Sequence, residues 1–79
     1  MITVLRAYGL RLAIYSHDHE PPHVHVVGDG EMKILLGDDD SDPVVVYSRG
    51  MKFGDAKKAL EAVTESKAWL LDEWRRIHD

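Results

Sequence analysis

At 79 residues the chain has room for one domain, residues 1–79, with a modest core that is consistent with a partner protein or a homodimer. It contains no cysteine, which excludes a disulfide framework, a zinc–thiolate site and a thiol redox motif. A net charge of −4 excludes broad charge-driven binding of nucleic acid over the whole surface, although not a local basic patch.

No apolar run is long enough to span a bilayer, so no membrane role is expected. No signal-peptide pattern opens the chain, and the expected location is the cytoplasm.

The predicted elements begin with a strand over Ile2 to Ala7, rich in β-branched and aliphatic residues. Tyr8-Gly9 suits a tight turn, and Leu10 to Ser16 alternates as the second strand of a hairpin. A third strand is expected from His23 to Val27. Gly28-Asp29-Gly30 is a hairpin signal, because glycine supplies the positive φ that such turns need. Met32 to Leu36 alternates again. Gly37 through Pro43 is an acidic, turn-forming loop, and Val44 to Tyr47 reads as a short fifth strand at an edge.

From Asp55 the period changes to that of a helix. Ala56, Leu60, Val63, Leu70, Trp74 and Ile77 fall on one stripe, with Lys67 where another apolar residue would be expected. Asp55 suits the helix N-terminus, and Arg75, Arg76 and His78 suit the C-terminus. Glu65-Ser66-Lys67 marks a kink or break, with Ser66 placed to cap a second helix. The class is therefore α+β: an antiparallel sheet of four to five strands packed against one or two C-terminal helices. Leu12, Ile14, Val24, Val26, Ile34, Leu60, Val63 and Trp74 are the expected core.

Chemistry concentrates in His17-Asp18-His19-Glu20-Pro21-Pro22-His23-Val24-His25, where four of the five histidines fall within nine positions. Imidazole titrates near neutral pH, ligates metals and moves protons. The two prolines make a stiff, extended lead-in. Beyond them, alternation sends Val24 and Val26 to the core and sets His23 and His25 on the opposite face, about 6.5–7 Å apart. That spacing suits two imidazoles converging on one metal ion or one phosphate. His19 is the candidate third imidazole, and Asp18 a carboxylate that orients one of them. Arg6 and Arg11 lie on strands beside this face, and Arg6 is the candidate to steady a phosphate.

The Asp-His-x-Pro-Pro-His-x-His core, here Asp18 to His25, resembles that of domain-of-unknown-function family 4160, small bacterial proteins. Tyr8-Gly9, Tyr15 and Leu70-Leu71-Asp72-Glu73-Trp74 extend the resemblance over nearly the whole chain. It implies the toxin side of a toxin–antitoxin-type module, with a small antitoxin-like partner protein encoded nearby. No catalytic mechanism comes with the family.

Three readings of function follow. In the first, a toxin-like effector acts on RNA without a cofactor, with His23 and His25 as general acid and base, aided by His19, Asp18 and Arg6. In the second, the domain is a non-enzymatic protein-binding module whose histidines are contacts or a metal clip. In the third, His19, His23 and His25 hold Zn²⁺ for hydrolysis, with Glu31 or Asp29 completing the ligand set.

Overall fold

A computed structural model describes residues 2–78. Five strands, β1 (Ile2–Ala7), β2 (Leu10–Ile14), β3 (His23–Val27), β4 (Glu31–Leu35) and β5 (Val44–Arg49), are followed by helices α1 (Phe53–Glu65) and α2 (Lys67–His78). The strands form one antiparallel sheet in sequence order, with β1 and β5 at its edges. Both helices cover a single face, so the α+β expectation holds with five strands and two helices.

The turns follow from their residues. Tyr8 (φ 55°) and Gly9 (φ 76°) both take the left-handed conformation that a two-residue hairpin turn requires. A β-carbon on Gly30 would run into the backbone of Arg49 and Gly50, so glycine there lets the β3–β4 turn press against the end of β5.

Several boundaries differ from the expected ones. β2 ends at Ile14 rather than Ser16, because the chain folds into a turn in which the Asp18 N–H donates to the Tyr15 carbonyl at 3.0 Å. β4 ends at Leu35, and the Leu36 N–H donates to the Pro22 carbonyl at 2.9 Å. β5 runs on to Arg49, and α1 begins at Phe53, two residues before Asp55.

Ser66 joins the helices through its backbone. Its N–H donates to the Ala62 carbonyl, and its own carbonyl accepts from the Leu70 N–H. Lys67 interrupts the apolar stripe because its ammonium donates to the Ser41 carbonyl, tying the start of α2 to the acidic loop.

Leu12, Ile14, Val24, Val26, Ile34, Val63 and Trp74 are buried as expected, joined by Met32, Leu36 and Leu70. Leu60 is a correction: it is only partly buried, and Ala59 and Val63 take the centre of the α1 stripe. Ile34→Ala should therefore cost about 2–5 kcal/mol in urea denaturation, the range for truncating a fully buried aliphatic. Leu60→Ala should cost distinctly less, and equal losses would show that α1 turns a different stripe to the sheet.

Candidate functional site

The lead-in to β3 builds the site from its backbone. The Tyr15 N–H donates to Asp18 Oδ2 at 3.3 Å, complementing the Asp18-to-Tyr15 turn bond and turning the carboxylate inward. Its neighbours His17 and His19 are exposed. The Glu20–Pro21 peptide is cis, and the Pro21 carbonyl lies 2.9 Å from His23 Nδ1. Trp74 Nε1–H donates to Glu20 Oε1 at 3.3 Å, fastening the lead-in to α2.

Asp18, His23 and His25 converge. One carboxylate oxygen, Asp18 Oδ2, lies 3.1 Å from His23 Nε2 and 3.4 Å from His25 Nε2. The side chains are well shielded: 5% of His23, 12% of His25 and 15% of Asp18 is exposed. Glu31 Oε2 stands 3.8 Å from His25 Nδ1 on the other side of that ring. Tyr15 packs edge-on against His25, and Trp74 lies against His23 at 5.1 Å between ring centroids.

Proton accounting shows what this geometry asks for. A carbonyl only accepts, so His23 Nδ1 carries the hydrogen that points to Pro21. If His23 is neutral, its Nε2 presents a bare lone pair to a carboxylate oxygen. That contact is favourable only if a proton or a metal cation lies between them. His25 Nε2 is close to the same oxygen yet makes no hydrogen bond, and neither of its ring nitrogens has a partner despite burial.

One ligand atom from each of Asp18, His23 and His25 lies within 4.8 Å of the other two. A tetrahedral zinc with bonds of about 2.0–2.1 Å holds its ligand atoms about 3.3 Å apart, close to both separations here. The backbone acceptor for His23 Nδ1 is the outer contact that fixes a metal-ligating imidazole.

Burial holds the His25 imidazole below its ordinary pKa. Asp18 opposes that shift, His23 adds to it, and Glu31 opposes it less strongly than Asp18. His25 is therefore readily available as a neutral ligand or base. Burial and Glu31 push the Tyr47 phenol above its ordinary value, keeping it protonated beside that carboxylate.

The expected site residues divide between two places. His17 and His19 line the same cleft as Asp18, His23 and His25, but Asp18, rather than His19, completes the cluster of converging ligand atoms. The turn bonds between Tyr15 and Asp18 aim this carboxylate inward, while both flanking imidazoles are exposed. Arg6 lines a separate groove with Arg11 and Asp29, near the β1–β2 and β3–β4 turns. Asp29 lies 3.9 Å from Lys52 and not beside the histidines.

Lys33 is a cleft residue that the sequence reading did not single out. It pairs directly with His25, and that register follows from the three-residue turn once Val27 faces Glu31.

Residues 9–75 match the family described as domain of unknown function (DUF4160). The chain belongs to that family. No curated protein and no solved structure matches it. The matched span of this DUF4160 domain contains the whole Asp18–His23–His25 cluster and all of β2 to β5. Among the described residues no helix is long and apolar enough to cross a membrane.

In metal-free protein, an NMR pH titration should show His25 protonating below the ordinary imidazole range. Asp18→Asn should lower its pKa further, because the carboxylate stabilises the imidazolium. A rise in the variant would mean that Asp18 does not act on His25 as the geometry requires.

Proposed function

We propose that this DUF4160 domain is a metal-dependent, toxin-like component of a toxin–antitoxin-type module, in which Asp18, His23 and His25 hold a divalent transition metal for hydrolytic chemistry. The module setting with a small partner protein is what the family resemblance implies; RNA as target is the reading of the histidine cluster, and the cytoplasm that of the sequence's lack of signal-peptide and membrane-spanning patterns. The chemistry rests on one observation: a single carboxylate oxygen lies 3.1 and 3.4 Å from two shielded imidazole nitrogens.

Three protein ligands leave a coordination position open. A metal held there would supply a Lewis acid and a bound water with a pKa of about 7. The protein's part is to fix the ligands. The Pro21 carbonyl sets the His23 tautomer, the Tyr15 N–H aims Asp18, and Tyr15 and Trp74 pack the two rings.

The second reading is a metal-free acid–base pair. His23, hydrogen-bonded to the Pro21 carbonyl and 3.1 Å from Asp18, would be the imidazolium acid, and His25, favoured in its neutral form by burial, the base. The two readings share residues but part on the role of metal.

Thermal melting with Zn²⁺ or chelator separates them. In the metal reading Zn²⁺ raises the melting temperature at about pH 7.5, and the gain shrinks by about pH 5.5 as the imidazoles take up protons. Asp18→Asn and His25→Gln should abolish the gain while remaining folded by circular dichroism. Induced expression of the wild type should arrest growth, and His25→Gln should not. Absence of stabilisation by Zn²⁺, Mn²⁺, Fe²⁺ or Ni²⁺, with a bell-shaped activity profile persisting in chelator, would replace this reading with the acid–base pair.

A further inference from the structure

The sheet face not covered by helices carries a row of side chains across all five strands. Arg6 pairs with Arg11, Arg11 with Val27, Val27 with Glu31, and Glu31 with Arg49. The adjacent row runs from Ala13 through His25 and Lys33 to Tyr47. Successive same-face residues on a strand stand about 6.5–7 Å apart, so the arginine row borders the row that contains His25.

Four cations, Arg6, Arg11, Lys33 and Arg49, therefore share one face; Glu31 is the acid within the two rows, and Asp29 and Asp55 border Arg6 and Arg11 at the turn end. None of the four makes an ion pair among the described residues, whereas Lys52, Arg75 and Arg76 each do. Arg6 and Arg11 are direct cross-strand partners, an arrangement of like charges that destabilises a sheet. Folding alone does not favour it, but an anionic ligand would. The Arg49 guanidinium also lies over the Tyr47 ring, 4.6 Å from its centroid, a cation–π pair.

We propose that this helix-free face binds single-stranded nucleic acid. Arg6, Arg11 and Lys33 take phosphates, and the Tyr47–Arg49 stack receives a base. In naming the substrate of the Asp18–His23–His25 site the proposal rests on the metal reading above, but the binding itself requires no metal. Arginine's planar fork matches phosphate oxygens two at a time. Unstacked bases lie on aromatic and guanidinium planes, which the Tyr47–Arg49 pair offers and a stacked duplex does not engage. The overall charge of −4 is no obstacle, because the acidic run from Asp38 to Asp42 lies in the β4–β5 connection, which leaves the sheet beyond the His23–Leu35 pair and away from the arginine row.

Fluorescence anisotropy of labelled single-stranded RNA and DNA oligonucleotides, read in chelator over a series of salt concentrations, tests this. Wild-type protein should bind one or both. Arg11→Gln and Arg49→Gln should each weaken binding several-fold, and Arg11→Gln should flatten the log–log salt slope by about 0.7, the value for one single-strand phosphate contact. Lys57→Gln, an equal charge change on exposed α1 surface, should change neither.

Arg11→Gln should melt no lower than wild type and should keep its response to Zn²⁺. Failure of nucleic-acid binding is thus read separately from failure of the metal reading. Equal effects of Arg11→Gln and Lys57→Gln, or competition by a polyglutamate peptide as effective as by unlabelled oligonucleotide, would overturn the proposal.

Discussion

The two-residue alternation of His23-Val24-His25-Val26 divides the molecule into a packed half and a chemical half. Val24 and Val26 are fully buried beneath the helices, while His23 and His25 take the other face. Each buried valine contributes about 1.5–3 kcal/mol relative to exposure. A one-residue slip would reverse both pairs and drive two imidazoles into an apolar core, where an unpartnered polar group costs several kcal/mol. The register that stabilises the fold is thus the same register that assembles the site. Its neighbours follow without further choice, since His25 must face Lys33 once Val26 faces Met32.

Trp74 connects the two halves. Its ring is buried in the core, it lies against His23, and its indole N–H holds Glu20 in the lead-in. His78, one helical turn later, stacks on it at 3.8 Å and reaches its carbonyl through Nδ1 at 2.8 Å. The position of α2 on the sheet and the aim of the histidine lead-in are therefore coupled through one side chain. A substitution that shifts α2 will disturb the site even if it touches none of its ligands.

Periodicity made most of this fold readable. The strands, the tight turns at Tyr8-Gly9 and Gly28 to Gly30, and the helix break at Ser66 each have a local cause that a sequence displays. The opposed faces of β3 were legible for the same reason. The central role of Asp18 was not, because it depends on the path of residues 15–22, a turn followed by a cis proline, and no periodicity encodes that path. Hence His19 stood out as the third ligand by residue type, while the backbone gives that place to its neighbour. Arg6 and Arg11 were readable as face residues. That they oppose one another needed the β1–β2 pairing and its irregularity between Thr3 and Leu5.

The departures from local stability rules fall together. His25 holds two buried nitrogens without hydrogen-bond partners, and Arg6 opposes Arg11 with no ion pair to either among the described residues, Asp29 and Asp55 lining the same groove without pairing with them. Both features disfavour the folded state, and a domain of 79 residues has little core with which to offset them. Both also lie on the face the helices leave open, in adjacent cross-strand rows. On the helix side the one further buried nitrogen without a partner among the described residues is His78 Nε2, on the α2 turn that stacks against Trp74. Natural sequences break such rules mainly where a site requires it. A cation beside the imidazole nitrogens and an anion beside the guanidiniums would each remove the local cost. Under the two proposals above, a phosphodiester lying across both rows beside a bound metal would do so at once, and the open face would act as a single functional surface.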